Sequence, residues 1–203
     1  MLYIIAGRYK NRKIQSPKHT LTRPTTNKLR GALFNICQTY IEDASFLDLF
    51  CGSGAMGLEA ISRGAAQATF VDEAKASLQC VRENIQSLGV EKQAHPLWGE
   101  ARVVLKKLAK QAEQFDIIYI DPPYETKGLS EEIIRIIDES TLLKVEGMLF
   151  IEESKAMVID KEKWLTLQLE SARKMGRTQL VQFRKISYPQ PSCSHQHELL
   201  DKY

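Results

Sequence analysis

Short apolar runs and amphipathic stretches alternate along most of this chain. Residues 45–50 (SFLDLF) form an apolar run interrupted by a single acid, and residues 68–71, 94–98, 115–120 and 147–151 are further short runs bounded by polar residues, glycine or proline. Runs of that length with such punctuation read as buried strands. Between them, apolar residues recur three and four positions apart over 56–63, 74–88, 101–111 and 130–140. That period places one face of a helix against a core. Gly64 and Gly89 stand where the first two of these helices should stop. Strand–helix alternation with continuous apolar strands predicts an α/β fold, a parallel sheet covered on both faces.

The ends of the chain break this pattern. Residues 2–14 read as a β-hairpin, with Gly7 and Asn11 supplying turn chemistry. Thr25 or Thr26 starts a helix whose apolar face is Leu29, Leu33, Phe34 and Ile36. After residue 151 the alternation stops, and 164–169 and 178–183 read as two consecutive strands, an antiparallel pair at one sheet edge. Beyond Ser187 the chain is polar and proline-containing, which predicts a loose tail. The expected organisation is a basic arm over 1–24, one α/β domain over 25–187 and a tail over 188–203. No internal repeat is visible.

Composition narrows the class. The chain has 203 residues, 43% hydrophobic and 26% charged, which suits one globular domain. No run approaches the roughly 18 apolar residues of a membrane span. The first residues turn basic after a short apolar stretch, the reverse of a secretory leader, so a cytoplasmic protein is expected, and a monomer is expected with it. The four cysteines, Cys37, Cys51, Cys80 and Cys193, form no Cys-x-x-Cys pair, which argues against a zinc ribbon or a disulfide framework. Cys51 reads as a packing residue. His19, His95, His195 and His197 lack ligand spacing, so no metal is expected, and Trp98 and Trp164 are expected in the core.

Charge adds a partner. The net charge is +3, yet the first 41 residues hold eight Lys and Arg and no acid, which leaves −5 on the remainder. A basic segment on a mildly acidic body is the footprint of a polyanion binder. Arg8, Lys10, Arg12 and Lys13 are the candidate phosphate contacts. A solvated basic surface or a localisation signal is the competing reading, and charge favours nucleic acid over it.

The chemistry-bearing residues all fall at carboxyl ends of predicted strands, where such folds bind ligands. Asp48-Leu-Phe50-Cys-Gly52-Ser53-Gly54 follows the first central strand and opens a helix. Gly52, Gly54 and Gly57 match a G-x-G-x-x-G dinucleotide loop, and Asp72 ends the next strand at the distance of a ribose-binding acid. Asp48 sits awkwardly for a pyrophosphate but suits a cation, which favours S-adenosylmethionine over NAD. A structural acid that accepts from loop N–H groups fits the same position. At the end of the fourth strand stands Asp121-Pro122-Pro123-Tyr124. Two prolines remove two N–H donors and leave the Asp side chain and a carbonyl as convergent acceptors for an exocyclic amine. Tyr124 offers a stacking face for a flipped base.

The two motifs together resemble a class I S-adenosylmethionine-dependent amino-methyltransferase. Residues 6–13 (AGRYKNRK) and 23–34 (RPTTNKLRGALF) are more specific. They resemble the bacterial RsmD-type family, which methylates guanine N2 in 16S ribosomal RNA, and the resemblance runs from about residue 2 to 184. It implies a Rossmann-like seven-stranded sheet, S-adenosylmethionine as donor and a substrate presented in the 30S subunit or its late precursor. It implies a donor site of Arg23, Thr25, Thr26, Asp48, Phe50, Gly52, Ser53, Gly54, Asp72, Glu100 and Ala101, and a target-amine site of Asp121, Pro122, Pro123 and Tyr124. The family usually carries acids where this chain has Asn27 and Gly31, and an Asp where it has Ala74. A DNA adenine-N6 methyltransferase uses similar chemistry, but no separate DNA-recognition domain is visible. An NAD-dependent oxidoreductase leaves the prolines and the basic arm unexplained. An idle RNA-binding subunit predicts damaged motifs, and both are intact.

Overall fold

The protein was analysed as a computed structural model that describes residues 2–17, 27–123, 128–153, 163–176 and 178–188. Five parallel strands carry the centre: β3 (Ser45–Leu49), β4 (Gln67–Asp72), β5 (Ala94–Trp98), β6 (Phe115–Ile120) and β7 (Leu143–Glu153). The antiparallel pair β8 (Leu167–Met175) and β9 (Thr178–Lys185) completes a seven-stranded sheet of order β5-β4-β3-β6-β7-β9-β8. From β3 the chain winds one way to β4 and β5, then returns to lay β6 on the other side. The carboxyl ends of β3 and β6 therefore flank the switch point, where an open α/β sheet has its crevice.

Each face of the sheet packs its own core. Phe46, Phe70, Tyr119 and Phe150 face one cluster with α1 (Asn27–Ile36), α2 (Ala55–Ser62) and α3 (Lys75–Leu88). Leu47, Leu49, Ile118 and Ile120 face another with α4 (Ala101–Lys110) and α5 (Leu129–Asp138). The alternation of side chains along each strand produces this split. Pro96 sits in β5, an edge strand, where a missing N–H is tolerated. No helix among the described residues is long and apolar enough to cross a membrane.

Two strands depart from the lengths expected. β7 begins four residues before 147, with an irregular register between Phe115 and Ile117 of its neighbour. The strand expected over 164–169 begins only at Leu167, because Asp138 takes the preceding residues: Leu165 and Thr166 N–H both donate to its carboxylate at 2.8 Å. The helix start expected at Thr25 or Thr26 lies outside the described residues, and α1 is described from Asn27.

The N-terminal segment is bound to the domain rather than loose upon it. β1 (Leu2–Tyr3) and β2 (Lys13–Ile14) pair antiparallel, and Leu2, Ile4 and Ile14 enter the first core. All eight residues of α2 are buried between this hairpin and the sheet. Gly7 is required at the contact: a Cβ there would lie 1.8 Å from the Ser62 carbonyl oxygen. Arg8 N–H donates to that carbonyl at 2.7 Å, Tyr9 N–H to the Ser62 hydroxyl at 2.9 Å, and Gln15 N–H to the Asn84 side chain at 2.7 Å.

One buried carboxylate ties the hairpin, α1 and α2 together. Glu59 accepts from Ile5 N–H at 2.8 Å, Ala6 N–H at 3.0 Å and Arg63 Nε at 2.7 Å, and lies 3.5 Å from Arg30 Nε. Arg30 and Glu59 are both fully buried. Arg30 also donates to the Tyr3 carbonyl and to Asn27 Oδ1. Burial lowers the Arg30 pKa and the Glu59 charge opposes that. Breaking such a pair by removing one partner typically costs about 3–5 kcal/mol, because the other charge stays buried. Glu59→Ala is therefore expected to lose about 3–5 kcal/mol of unfolding free energy in urea titration. A loss under about 1 kcal/mol, the range of an exposed pair, would show that the pair is not a main support.

Candidate active site

β3 ends at Leu49, and the chain turns through three left-handed residues: Phe50 (φ 59°), Gly52 (φ 54°) and Gly54 (φ 76°). The conformation is free for glycine but costs Phe50 about 1–3 kcal/mol. Cys51 N–H donates to the Val71 carbonyl and Gly54 N–H to the Cys51 carbonyl, at 3.1 and 2.7 Å. α2 then lies so close to the sheet that a Cβ on Gly57 would meet the Phe70 ring at 2.4 Å.

Two carboxylates brace this turn. Asp72, at the end of β4, accepts from Gly52 N–H at 2.9 Å and Ala74 N–H at 2.8 Å. A carboxylate has about four acceptor positions, so two hydrogen bonds do not exhaust it. Asp48 lies beneath the turn, 1% exposed, and accepts from Gly57 N–H at 3.0 Å. Burial pushes its pKa up to about 8; the Gly57 hydrogen bond opposes this and the Asp72 charge adds to it.

A cavity of about 120 Å³ opens beside the turn. Phe50, Asp72, Gly99, Glu100, Ala101 and Pro123 all line it. Glu100 caps α4, its side chain accepting from Arg102 and Val103 N–H at 3.2 Å each and from Arg102 Nε at 2.8 Å. Burial alone would raise its pKa, but the hydrogen bonds from Arg102 and Val103 outweigh that and hold it below the usual value. Ala101 begins α4 and is buried. The cavity thus combines apolar walls with acids at two edges, a lining suited to a flat nucleoside with hydroxyl groups.

The second motif abuts this cavity. Asp121 follows β6, and its N–H reaches toward the Leu49 carbonyl at 3.4 Å, across to the strand that feeds the glycine turn. Pro122 is buried and Pro123 is exposed at the cavity wall. Tyr124, Arg23, Thr25 and Thr26 lie outside the described residues.

With this geometry in place, similarity to known proteins is informative. The family model described as conserved hypothetical protein 95 matches residues 2–184. The chain belongs to this family. It is 37% identical over 153 residues to ribosomal RNA small subunit methyltransferase D of Escherichia coli K12, covering 73% of each chain. It is 35% identical over 164 residues to the protein of the same name from Buchnera aphidicola, covering 80% of this chain and 84% of that one. Among solved structures, Escherichia coli yhhF, named as a methyltransferase, aligns with a TM-score of 0.78 at 30% identity over 92% of this chain and 98% of its own. The fold is that of a class I methyltransferase.

Asn27 accepts a hydrogen bond from Arg30 at 3.1 Å. Gly31 faces open space, with nothing within 4 Å of a Cβ built there. Arg8, Lys10, Arg12 and Lys13 are all exposed on the hairpin. Arg12 also donates to the Ser87 carbonyl at 2.7 Å, and the Arg8 guanidinium lies 5.6 Å from the Tyr9 ring centre.

One expectation fails here. Trp98 is 60% exposed, not core: it ends edge strand β5, donates to the Glu73 carbonyl at 2.9 Å and lies under the Lys75 ammonium. Trp164 packs against the second core, edge-on to Phe183. Cys51 is buried, and burial pushes its thiol well up, as befits a packing residue rather than a nucleophile.

Sequence reasoning missed Asn84 and Glu152. Asn84 holds the glycine turn to the hairpin, donating to the Ser53 and Gln15 carbonyls at 3.0 Å each. Its signal was a polar residue on the buried face of a helix. Glu152 accepts from the Tyr119 hydroxyl at 2.8 Å at the end of β7. Its signal was an acid at a strand's carboxyl end, as for Asp72.

The raised pKa of Asp48 has a testable consequence. Between about pH 4 and about 8 the folded protein holds a proton that the unfolded chain has released. Stability from this group must therefore fall as pH rises through that window. Asp48→Asn should flatten the decline by up to about 1.4 kcal/mol per pH unit, seen in urea unfolding at pH 5.5, 7 and 8.5. Parallel pH profiles for both proteins would contradict the assignment.

Proposed function

We propose that this protein transfers a methyl group to the exocyclic N2 amine of a guanine in 16S ribosomal RNA, presented by the small ribosomal subunit or a late precursor of it. S-adenosylmethionine is the methyl donor. The observation that supports the reading most is the shared wall: Pro123 of the amine motif lines the same cavity as Phe50 and Asp72 of the donor loop. A donor and a target amine bound at these two motifs lie side by side. The relatives named as small-subunit rRNA methyltransferases point to the same substrate class.

The residues present suit the donor. Asp72 has acceptor positions left for ribose hydroxyls, Glu100 and Ala101 flank the purine, and Arg23, Thr25 and Thr26 are assigned the methionine end. Asp48 beneath the turn balances the positive charge of that end once ionised. When bound, the donor supplies an electrophilic methyl on a sulfonium.

The rest is done by the protein. The guanine N2 lone pair is delocalised into the ring. The Asp121 carboxylate and the Pro122 carbonyl accept the two amine hydrogens and raise density on nitrogen, while Tyr124 is assigned the stacking contact. Asp121 need not deprotonate the amine in advance, since the methylated ammonium is strongly acidic. Orientation and preorganised acceptors supply the acceleration. Arg8, Lys10, Arg12 and Lys13 grip RNA phosphates outside the cavity. The protein acts in the cytoplasm as a monomer and uses no metal in this scheme.

Asp121→Ala should lower turnover by about 100- to 1000-fold, the scale of losing a preorganised electrostatic contact, while calorimetric binding of S-adenosylmethionine is retained. The assay is tritium transfer to small subunits from a strain lacking its own enzyme of this family. Product nucleosides are identified by mass spectrometry, with naked 16S RNA and duplex DNA alongside. Full activity of the variant, or N6-methyladenine in DNA as the product, would sink the reading.

Neutralising Arg8, Lys10, Arg12 and Lys13 to Gln should raise KM for subunits and leave donor affinity unchanged. The slope of log affinity against log salt should shrink by about 0.7–0.9 per contact removed. An unchanged slope would move RNA binding off the hairpin.

A further inference from the structure

The donor cavity has a neighbour that the methyl-transfer scheme does not use. An open groove of about 550 Å³ runs beside it, with Trp98, Val103, Val104 and Lys107 in its wall, and Glu73, Gly99 and Glu100 line both spaces. Trp98 is 60% exposed and Val103 is 65% exposed. Exposed apolar residues that share one groove and are rimmed by polar ones mark a binding surface. The indole cannot turn away, because its Nε1 donates to the Glu73 carbonyl at 2.9 Å. The ring is therefore held as a fixed platform.

The charges around the platform say what it suits. Trp98 ends the edge strand β5, so helices from both faces of the sheet reach it. α3 brings Lys75, whose ammonium lies 5.3 Å from the ring centre, and α4 brings Lys107. Neither lysine has an ion-pair partner among the described residues. α4 carries Arg102, Lys106, Lys107 and Lys110 and no acid. Of the two acids in the groove, Glu100 is engaged by Arg102 and by the first turn of α4. Glu73 alone opposes the two lysines. An aromatic platform between cations matches a chain of flat bases joined by phosphates.

The groove is also connected to the basic hairpin. α3 starts at Lys75 beside Trp98, and near its other end Ser87 accepts from Arg12 of the hairpin. Its 14 residues span about 21 Å, short enough for one RNA strand to touch both ends. Resting on the RNA substrate of the reading above, we propose that this groove is a second RNA-docking site. An unpaired base of the substrate stacks on Trp98, and the adjoining phosphates meet Lys75 and Lys107. Every base has a π-face, so the site is tolerant of sequence. It holds the RNA in place and leaves the choice of target to the reacting groups.

Tryptophan fluorescence tests this directly. The chain has two tryptophans, and Trp164 packs against the second core. The ligand is an unstructured oligouridylate of about eight nucleotides, inside the roughly 4–16 that single-strand sites cover. Arg8, Lys10, Arg12 and Lys13 are changed to Gln, so that the groove is read without the hairpin. Emission should fall saturably on titration, and the fall should be absent once Trp98→Phe is added. Trp98→Ala should weaken the oligonucleotide by about 5- to 150-fold in anisotropy of a labelled strand, the scale of one base–aromatic stack. Lys75→Gln with Lys107→Gln should lower the slope of log affinity against log salt by about 0.7 per lysine. In the otherwise wild-type chain, Trp98→Ala should raise KM for small subunits, with kcat and S-adenosylmethionine affinity unchanged.

Unquenched emission, or quenching that survives Trp98→Phe, overturns the proposal. A loss of S-adenosylmethionine affinity in Trp98→Ala also overturns it and assigns the groove to the donor site. A raised KM for subunits with oligonucleotide binding unchanged overturns it too, and gives the groove to a protein of the subunit. Should Trp98→Ala fail to fold, the conservative Trp98→Phe titration decides. The wild-type product on small subunits is analysed separately. Absence of N2-methylguanosine there strikes the reading of the reaction, while the fluorescence titration still decides whether Trp98 holds RNA.

Discussion

The buried Glu59 carboxylate is the constraint on which the arrangement of this protein depends. It sits in α2, directly behind the glycine turn, and is bound by backbone N–H groups of the hairpin and by Arg63, with Arg30 of α1 close by. An unpaired charge at that depth would be costly. The hairpin, α1 and α2 must therefore assemble together. This explains why α2 is buried on all sides and why the basic segment has a fixed place beside the sheet. A surface that recruits a polyanion is useful only if it holds a constant position relative to the reacting groups.

A second rule organises the carboxyl edge. Asp48 and Asp72 are each held by backbone N–H groups of the loops they serve, and Glu152 by a tyrosine hydroxyl. These hydrogen-bond donors are neutral. The edge therefore concentrates carboxyl groups and acceptor capacity, while the positive charge of the hairpin lies on exposed side chains. This division is the one that the proposed reaction requires, with a cationic donor meeting an amine and a phosphate-rich substrate held from outside. Asp48 is the extreme case, since burial shifts its proton affinity far enough for the donor's charge to matter.

Much of this was legible in the chain. The central strands β3, β4, β6 and β7 were visible as apolar runs, because strands buried on both faces are apolar nearly throughout. The glycine turn and the Asp-Pro-Pro sequence were visible because left-handed backbone and missing N–H donors demand particular residue types. Their placement at strand ends followed from topology. Trp98 shows the limit: a large aromatic reads as core, yet its place at the end of an edge strand leaves it 60% exposed. The start of β8 was misplaced for a similar reason. Asp138, distant in sequence, captures the backbone of Leu165 and Thr166 and delays the ladder.

The sequence by itself determined the order of elements, the parallel sheet with its antiparallel edge, and the two motifs. These follow from local periodicity and from backbone chemistry that each residue carries with it. Only the tertiary structure decided which polar residues are buried and what they touch. Arg30, Glu59, Asn84 and Glu152 look like ordinary helix or strand-end positions in the chain. Their roles come from partners 27 to 69 residues away. Such pairs have no local signature, because the free energy of a buried hydrogen bond or charge is set by whatever the fold packs against it.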